Sequence, residues 1–149
     1  MRADRGFTLV ELLVVLAMVG LLTALVPMAF ERLRESVQYR DAVRAALTDF
    51  RQARHRAVAE GREVRFAINL SERSYGVEGR APRILPEPLR LRATVADTEV
   101  ASGEQASIRF LPSGGATGGA IDIVRPGGAG ARLTVDWFSG AVIQAPLQQ

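Results

Sequence analysis

From Phe7 to Val26 the chain is apolar apart from Thr8, Glu11, Gly20 and Thr23, and arginines stand close on both sides. Twenty residues of α-helix span about 30 Å, the thickness of a bilayer's hydrocarbon core. Two other readings compete. Arg2 and Arg5 would suit a cleaved secretory signal, but its apolar region is typically about 7 to 15 residues long, and no small-x-small cleavage site follows Val26. A buried helix of a soluble core would not meet charge almost at once at both ends. Residues 7–29 are therefore expected to form a membrane-spanning helix. Pro27 lacks an N–H and crowds the preceding turn, so a bend or local melting is expected near Gly20 to Pro27.

Glu11 is the anomaly in this segment. A carboxylate there costs about 2.5 to 3.5 kcal/mol on insertion scales, so something should offset it. Arg5 lies about a turn and a half away. If the chain began at Phe7, the new α-amino group would stand one helical turn from Glu11, on this chain or on a packed neighbour.

The remainder must fold, because 48% of the 149 residues are hydrophobic. Every basic residue is arginine and cysteine is absent, which removes Schiff-base and P-loop lysines, thiol nucleophiles, disulfides and cysteine-held metals. His55 is the lone histidine, and the carboxylates are scattered. No catalytic, metal or cofactor site is expected, and no small-molecule substrate. The formal charge is only +3, with no basic run and no basic residue after Arg132, which argues against nucleic acid as a partner. Arg80, Arg83, Arg90 and Arg92, around Pro82, Pro86 and Pro88, are the one local concentration, expected to be a solvated loop. Gly-rich stretches at 112–119 and 127–130 lack a following helix or lysine, so hairpin turns are expected there rather than phosphate loops.

From Phe30 to Glu60 apolar residues return at helical spacing: Val43, Leu47, Phe50, Ala57 and Val58 near one face, with Ala46 and Ala53 beside it. Arg54 lies on the same stripe and is expected to snorkel at the core's edge; His55 is off it and should be solvated. Gly61 suits a left-handed C-cap. The helix should thus run through an amphipathic half over 30–61. Beyond it the period becomes two. Strands are expected at Val64–Leu70, Ser74–Val77, Leu89–Val95, Ser107–Leu111, Ala120–Val124, Arg132–Trp137 and Ala141–Ile143, the first two joined across Ser71–Arg73. The fold class expected is α+β: a long N-terminal helix, half membrane-embedded and half amphipathic, packed on a mostly antiparallel β-rich domain over 62–149.

Gly6-Phe7-Thr8-Leu9-Val10-Glu11 strongly resembles the class III signal of type IV prepilins and pseudopilins. The resemblance implies a leader, Met1 to Gly6, removed after Gly6 by a prepilin peptidase that also methylates Phe7, and it makes Glu11 the fifth-position glutamate that guides assembly. Pro27 falls one residue early against the familiar pattern. Counting arginines beside the apolar run, Arg2 and Arg5 before it against Arg32, Arg34, Arg40 and Arg44 after it, would put the C-terminal side in the cytoplasm. The resemblance implies the opposite: a single-pass inner-membrane protein with its globular domain in the periplasm.

Phe110-Leu-Pro-Ser-Gly114, Gly118-Gly119, Ile121-Asp-Ile123 and Leu133-Thr-Val-Asp-Trp-Phe-Ser-Gly-Ala-Val142 resemble the globular domain of the GspH/FimT family, while Ile84 to Gln105 carries no recognisable pattern. That family comprises H-type minor pseudopilins of type II secretion systems and related minor pilins of type IV pili. The implied fold is pilin-like. The implied function is a structural, non-enzymatic subunit of the periplasmic pseudopilus, partnered by the major pseudopilin, a tip complex of other minor pseudopilins and, before assembly, inner-membrane lipid. A type IV pilus minor pilin, or a minor pilin that binds DNA for uptake, would share these motifs.

Overall fold

The computed structural model describes residues 8–95, 100–102 and 104–147, with side chains outside 24–33 and 100–102. It divides into two compact units, Met1–Val37 and Gln38–Gln149. One helix, α1 (Leu9–Glu60), belongs to both. It runs without interruption past Gly20 and Pro27, so the local melting expected there does not occur. A proline removes one rung of the ladder, too little to stop an established helix from propagating. Gly61 then closes the helix at φ +62°, the left-handed C-cap conformation expected of it.

Among the described residues nine strands follow: β1 (Val64–Asn69), β2 (Ser74–Val77), β3 (Arg83–Ile84), β4 (Arg90–Thr94), β5 (Val100–Ser102), β6 (Gln105–Phe110), β7 (Gly119–Val124), β8 (Gly130–Val135) and β9 (Val142–Leu147). They form two antiparallel sheets, ordered β3-β2-β1-β6-β5 and β4-β7-β8-β9. All seven expected strands are present with ends shifted by a few residues. β3 and β5 were not expected, since two or three residues carry no readable period.

The 127–130 glycines make the expected hairpin: Arg125 N–H donates to Ala129 O (2.8 Å), and Gly128 N–H to Arg125 O (2.9 Å). The 112–119 stretch does more than turn. The chain doubles back beside β6, with Phe110 bridged to Ala116, and then passes into the second sheet at Gly119. There φ is +139° and a Cβ would lie 3.0 Å from Thr94 O and 3.1 Å from Ile108 Cδ1. Only glycine fits both the angle and the space.

The alternation in β1 buries Val64, Phe66 and Ile68. They meet the buried face of α1, which is mostly alanine: Ala42, Ala46, Ala53 and Ala57, with Val43 and Phe50. Phe50 stacks on Phe66 (centroids 4.0 Å apart, 21°) and meets Phe110 edge-on (6.2 Å, 60°). The second sheet contributes Leu91, Ile121, Ile123 and Leu133 to the same cluster. Two details differ from the expected stripe: Leu47 is only half-buried, and Val58 is exposed. The buried arc is narrower because small residues let the sheet approach α1 along one line. The stretch from Ile84, patternless in sequence, sends Leu85 and Leu89 into the core, each 1% exposed.

The arginine loop is also corrected. Arg83 Nε donates to Asp49 Oδ2 at 2.7 Å, and that carboxylate is buried on α1. Arg80 donates to Gln52 of α1. Arg90 and Arg92 are exposed on β4 and Arg92 stands opposite Asp122. Two of the four arginines therefore tie the β2–β3 connection to the helix, because a buried Asp49 needs a charged donor.

Two predictions follow from this core. Phe50→Ala should cost about 3 to 5 kcal/mol, measured by urea unfolding followed by circular dichroism. The second concerns Tyr75, whose hydroxyl donates to Ala42 O (3.2 Å). Burial, with Asp49 nearby, pushes its phenol up from 10.0 to about 12. The stabilisation from the neutral phenol is complete below pH 10 and is lost as pH rises through about 12. Absorbance at 295 nm should show one tyrosine ionising late, and Tyr75→Phe should remove that step.

Candidate assembly site

Gly6 and Phe7 lie outside the described residues, so the structure places neither. It does place Glu11, and it shows why the helix begins where it does. Thr8 is the N-cap: its Oγ1 accepts the Glu11 N–H (3.3 Å) and its carbonyl accepts the Leu12 N–H (3.2 Å). Thr8-Leu9-Val10-Glu11 thus has the spacing of a capping box, with Glu11 at the third helical position. A carboxylate in the first turn is favoured by the helix dipole. The capping role of Thr8 was missed in the sequence, although Ser/Thr-x-x-Glu was there to be read.

Beyond the cap, every described side chain from Leu9 to Thr23 is exposed, Leu9 at 80% and Leu16 at 67%. Apolar surface all round a helix has no stable place in water. Thr23 satisfies its hydroxyl on its own helix, donating to Val19 O at 2.6 Å and Gly20 O at 3.1 Å, as an apolar setting demands. Among the described residues no helix is long and apolar enough to cross a membrane; the described apolar side chains end at Thr23, short of the run's end at Val26 in the sequence.

In the second unit, two turns and one arginine lock together. Arg54 Nε donates to Gly114 O at 3.1 Å; the side chain is exposed yet fixed, so the snorkelling expected of it ends in a definite bond. Ala116 N–H donates to Trp137 O (2.9 Å), joining the 111–116 turn to the 136–140 turn. Asp136 organises the latter: Oδ1 accepts the Ser139 N–H (2.8 Å) and hydroxyl (2.7 Å), which hold its carboxyl below the usual range. At Gly140, φ is +62° and a Cβ would lie 2.4 Å from Gly114 O. The clamp leaves Trp137 and Phe138 on the surface, rings edge to face at 5.7 Å. His55 is exposed as expected, and among the described residues no group of three His, Asp or Glu could hold a metal.

A capped helix, bare and apolar over its first turns and buried over its last against two antiparallel sheets, defines a pilin-like subunit. Comparison with known proteins gives the family. The sequence model described as type II transport protein GspH matches residues 42–140, and that of the prokaryotic N-terminal methylation motif matches residues 1–27. The chain belongs to the GspH family. It is 32% identical over 147 residues to the type II secretion system protein H of Xanthomonas campestris pv. campestris, covering 99% of this chain and 86% of that one. A fimbrial protein of Pseudomonas aeruginosa is 26% identical over 121 residues, 81% of this chain and 78% of that one. The fold is that of the minor pseudopilin EpsH of the Vibrio cholerae type 2 secretion system: TM-score 0.56 at 16% identity, covering 72% of this chain and 96% of that one.

Gly140→Ala should destabilise by about 1 to 3 kcal/mol, from the left-handed strain and the contact with Gly114 O. Arg54→Ala should cost less, since it removes one part-buried hydrogen bond without straining the backbone. Thermal unfolding of the two variants tests this order.

Proposed function

We propose that the protein is a minor pseudopilin of the H type, a structural subunit of the periplasmic pseudopilus of a type II secretion system, without catalytic activity of its own. The observation that carries this reading is the likeness to type II secretion system protein H over 99% of the chain, which includes both the methylation motif and the domain. Before assembly, residues 7–29 hold the subunit in the inner membrane and 62–149 stand in the periplasm, with 30–61 as the amphipathic half of the same helix. A prepilin peptidase removes Met1 to Gly6 and methylates Phe7. The subunit then joins the major pseudopilin and other minor pseudopilins.

Glu11 sets the stagger. In an apolar bundle of helices its carboxylate is neutralised best by the Phe7 ammonium of a neighbour, and only one register brings the two together. The N-cap at Thr8 supports this by starting the helix so that Glu11 lies in its first turn. A type IV pilus minor pilin is the second reading, favoured by the likeness to the fimbrial protein but at lower identity and coverage. DNA uptake has less support, since Arg80 and Arg83 are engaged with α1.

Intact mass of the membrane fraction should give a chain beginning at N-methyl-Phe7; a start beyond Val26 would mean ordinary signal cleavage and end the reading. In a strain lacking the native protein, Glu11→Gln should be inserted and processed normally. Its crosslinking to the major subunit should be lost, and normal incorporation would show that Glu11 does not guide assembly.

A further inference from the structure

The second sheet ends on β9, which pairs with β8 on one side and, among the described residues, with no strand on the other. Just ahead of that ladder Asp136 N–H donates to Ala141 O (2.9 Å). This makes Val135 and Val142 a non-hydrogen-bonded pair, and the two kinds of pair then alternate along an antiparallel ladder. Ile143, Ala145 and Leu147 thus give their N–H and C=O to β8, while those of Val142, Gln144 and Pro146 point the other way. Pro146 falls in the outward set, where its missing N–H costs the ladder no bond.

An open edge invites a further strand, and folded proteins guard their edges by shortness, charge or proline. β3 and β5 are two and three residues long, and β4 carries Arg90 and Arg92. β9 is six residues long, and no charged residue stands between Asp136 and Gln149. Its one guard is Pro146. β9 also overhangs the core. On the face it shares with Leu133 and Ala131, both buried, Gln144 and Pro146 are exposed; on the other face Ile143 is 59% exposed. Both faces beside the edge are therefore open to the side chains of an added strand.

We propose that β9 is a docking edge for an extended, uncharged segment of a partner protein, which joins the second sheet as an antiparallel strand. Val142 and Gln144 each exchange N–H and C=O bonds with it, and the Pro146 carbonyl accepts one more before the proline ends the pairing. A β-branched or aliphatic residue of the segment lies against Ile143, whereas a charged one there finds no partner on β9. A second copy of this chain fits less well. Pairing β9 with itself about Gln144 sets each Pro146 opposite the other copy's Val142, so a bond is lost at both ends of the new ladder. The edge takes no part in the assembly proposed for Glu11.

The test uses the full chain in detergent micelles and fluorescence anisotropy. The probe is a labelled seven-residue peptide alternating threonine and valine. Its comparison is the same peptide N-methylated throughout, which keeps the side chains and removes the donors. The unmethylated peptide should bind more tightly by about tenfold or more. Gln144→Pro removes an outward donor without touching the β8 ladder, and Ile143→Lys sets a charge beside the edge; each should weaken binding by about tenfold. Ile84→Lys, the same change at an exposed position of edge strand β3, should have little effect. Circular dichroism verifies the fold of each variant, and Ile143→Lys carries the test if Gln144→Pro does not fold. Equal binding of the methylated peptide, unaltered binding by folded Gln144→Pro or by Ile143→Lys, an equal loss from Ile84→Lys, or no peptide binding at millimolar concentration would each overturn the proposal. So would a dimer in sedimentation that Ile143→Lys dissociates, since the occupant would then be a second copy.

Discussion

The second unit depends on how closely α1 can approach the sheets. Its buried face offers Ala42, Ala46, Ala53 and Ala57 with one large side chain, Phe50, in their midst. Four methyl-sized contacts let the helix lie near the strands, and Phe50 fills the space between Phe66 and Phe110. Larger residues at the alanines would push the helix outward and leave the aromatic cluster loose, at a cost of about 1 to 3 kcal/mol each. The narrow arc leaves the other faces of α1 free for polar work, and the sheet's connections are tied to those faces.

Arginines make most of the described ties, and their geometry matters. Arg83 reaches the buried Asp49, Arg56 Nη1 donates to Glu78 O at 3.1 Å, and Arg54 holds the Gly114 carbonyl. Arg125 from the β7–β8 turn sets its guanidinium carbon over the Tyr39 ring, 4.0 Å from its centroid. Tyr39 and Arg54 are separated by about four turns of helix, so the loops are fastened to α1 at both ends of its buried length. Lysine would match neither the stacking nor the in-plane donation to carbonyl oxygen. In the second sheet Arg132 grips Asp122 with two bonds of 2.7 and 2.8 Å. Each such tie is modest where it meets solvent. Together they fix connections that contain too few apolar residues to fix themselves.

What could be read from the sequence follows from period and from motif. The buried face of α1 repeats at helical spacing, and β1 alternates strictly, so both were legible. The cap at Gly61 was legible because only glycine is at ease there. The patternless stretch after Ile84 was not, because Leu85 and Leu89 enter the core from a proline-rich segment in which no regular element sets a period. The arginines nearby looked solvated for a related reason. Their partners, Asp49 and Gln52, stand about thirty residues away in the chain, and only the close packing of β2 and β3 on α1 brings them together. Thr8 was within reach of sequence reasoning, but the apolar run drew attention to Glu11 as a charge rather than as the third residue of a capped helix.

The cap and the assembly role proposed for Glu11 are compatible because they use different atoms. Its backbone N–H is given to the Thr8 hydroxyl, one of the four N–H groups that every helix leaves without an internal partner. Its carboxylate is not needed for the cap and remains exposed. In an apolar surrounding that division has a consequence. The cap thus uses only the Glu11 N–H, and the one ionised side chain in the described apolar part of the helix is a negative charge at its start. A surface that is apolar on all sides gives neighbouring helices cohesion but no preferred depth, since sliding by a turn exchanges one leucine for another. A lone carboxylate breaks that degeneracy, because its energy depends steeply on where the nearest cation lies when the dielectric is low. In the proposed assembly, cohesion and register would thereby fall to different residues of the same short segment.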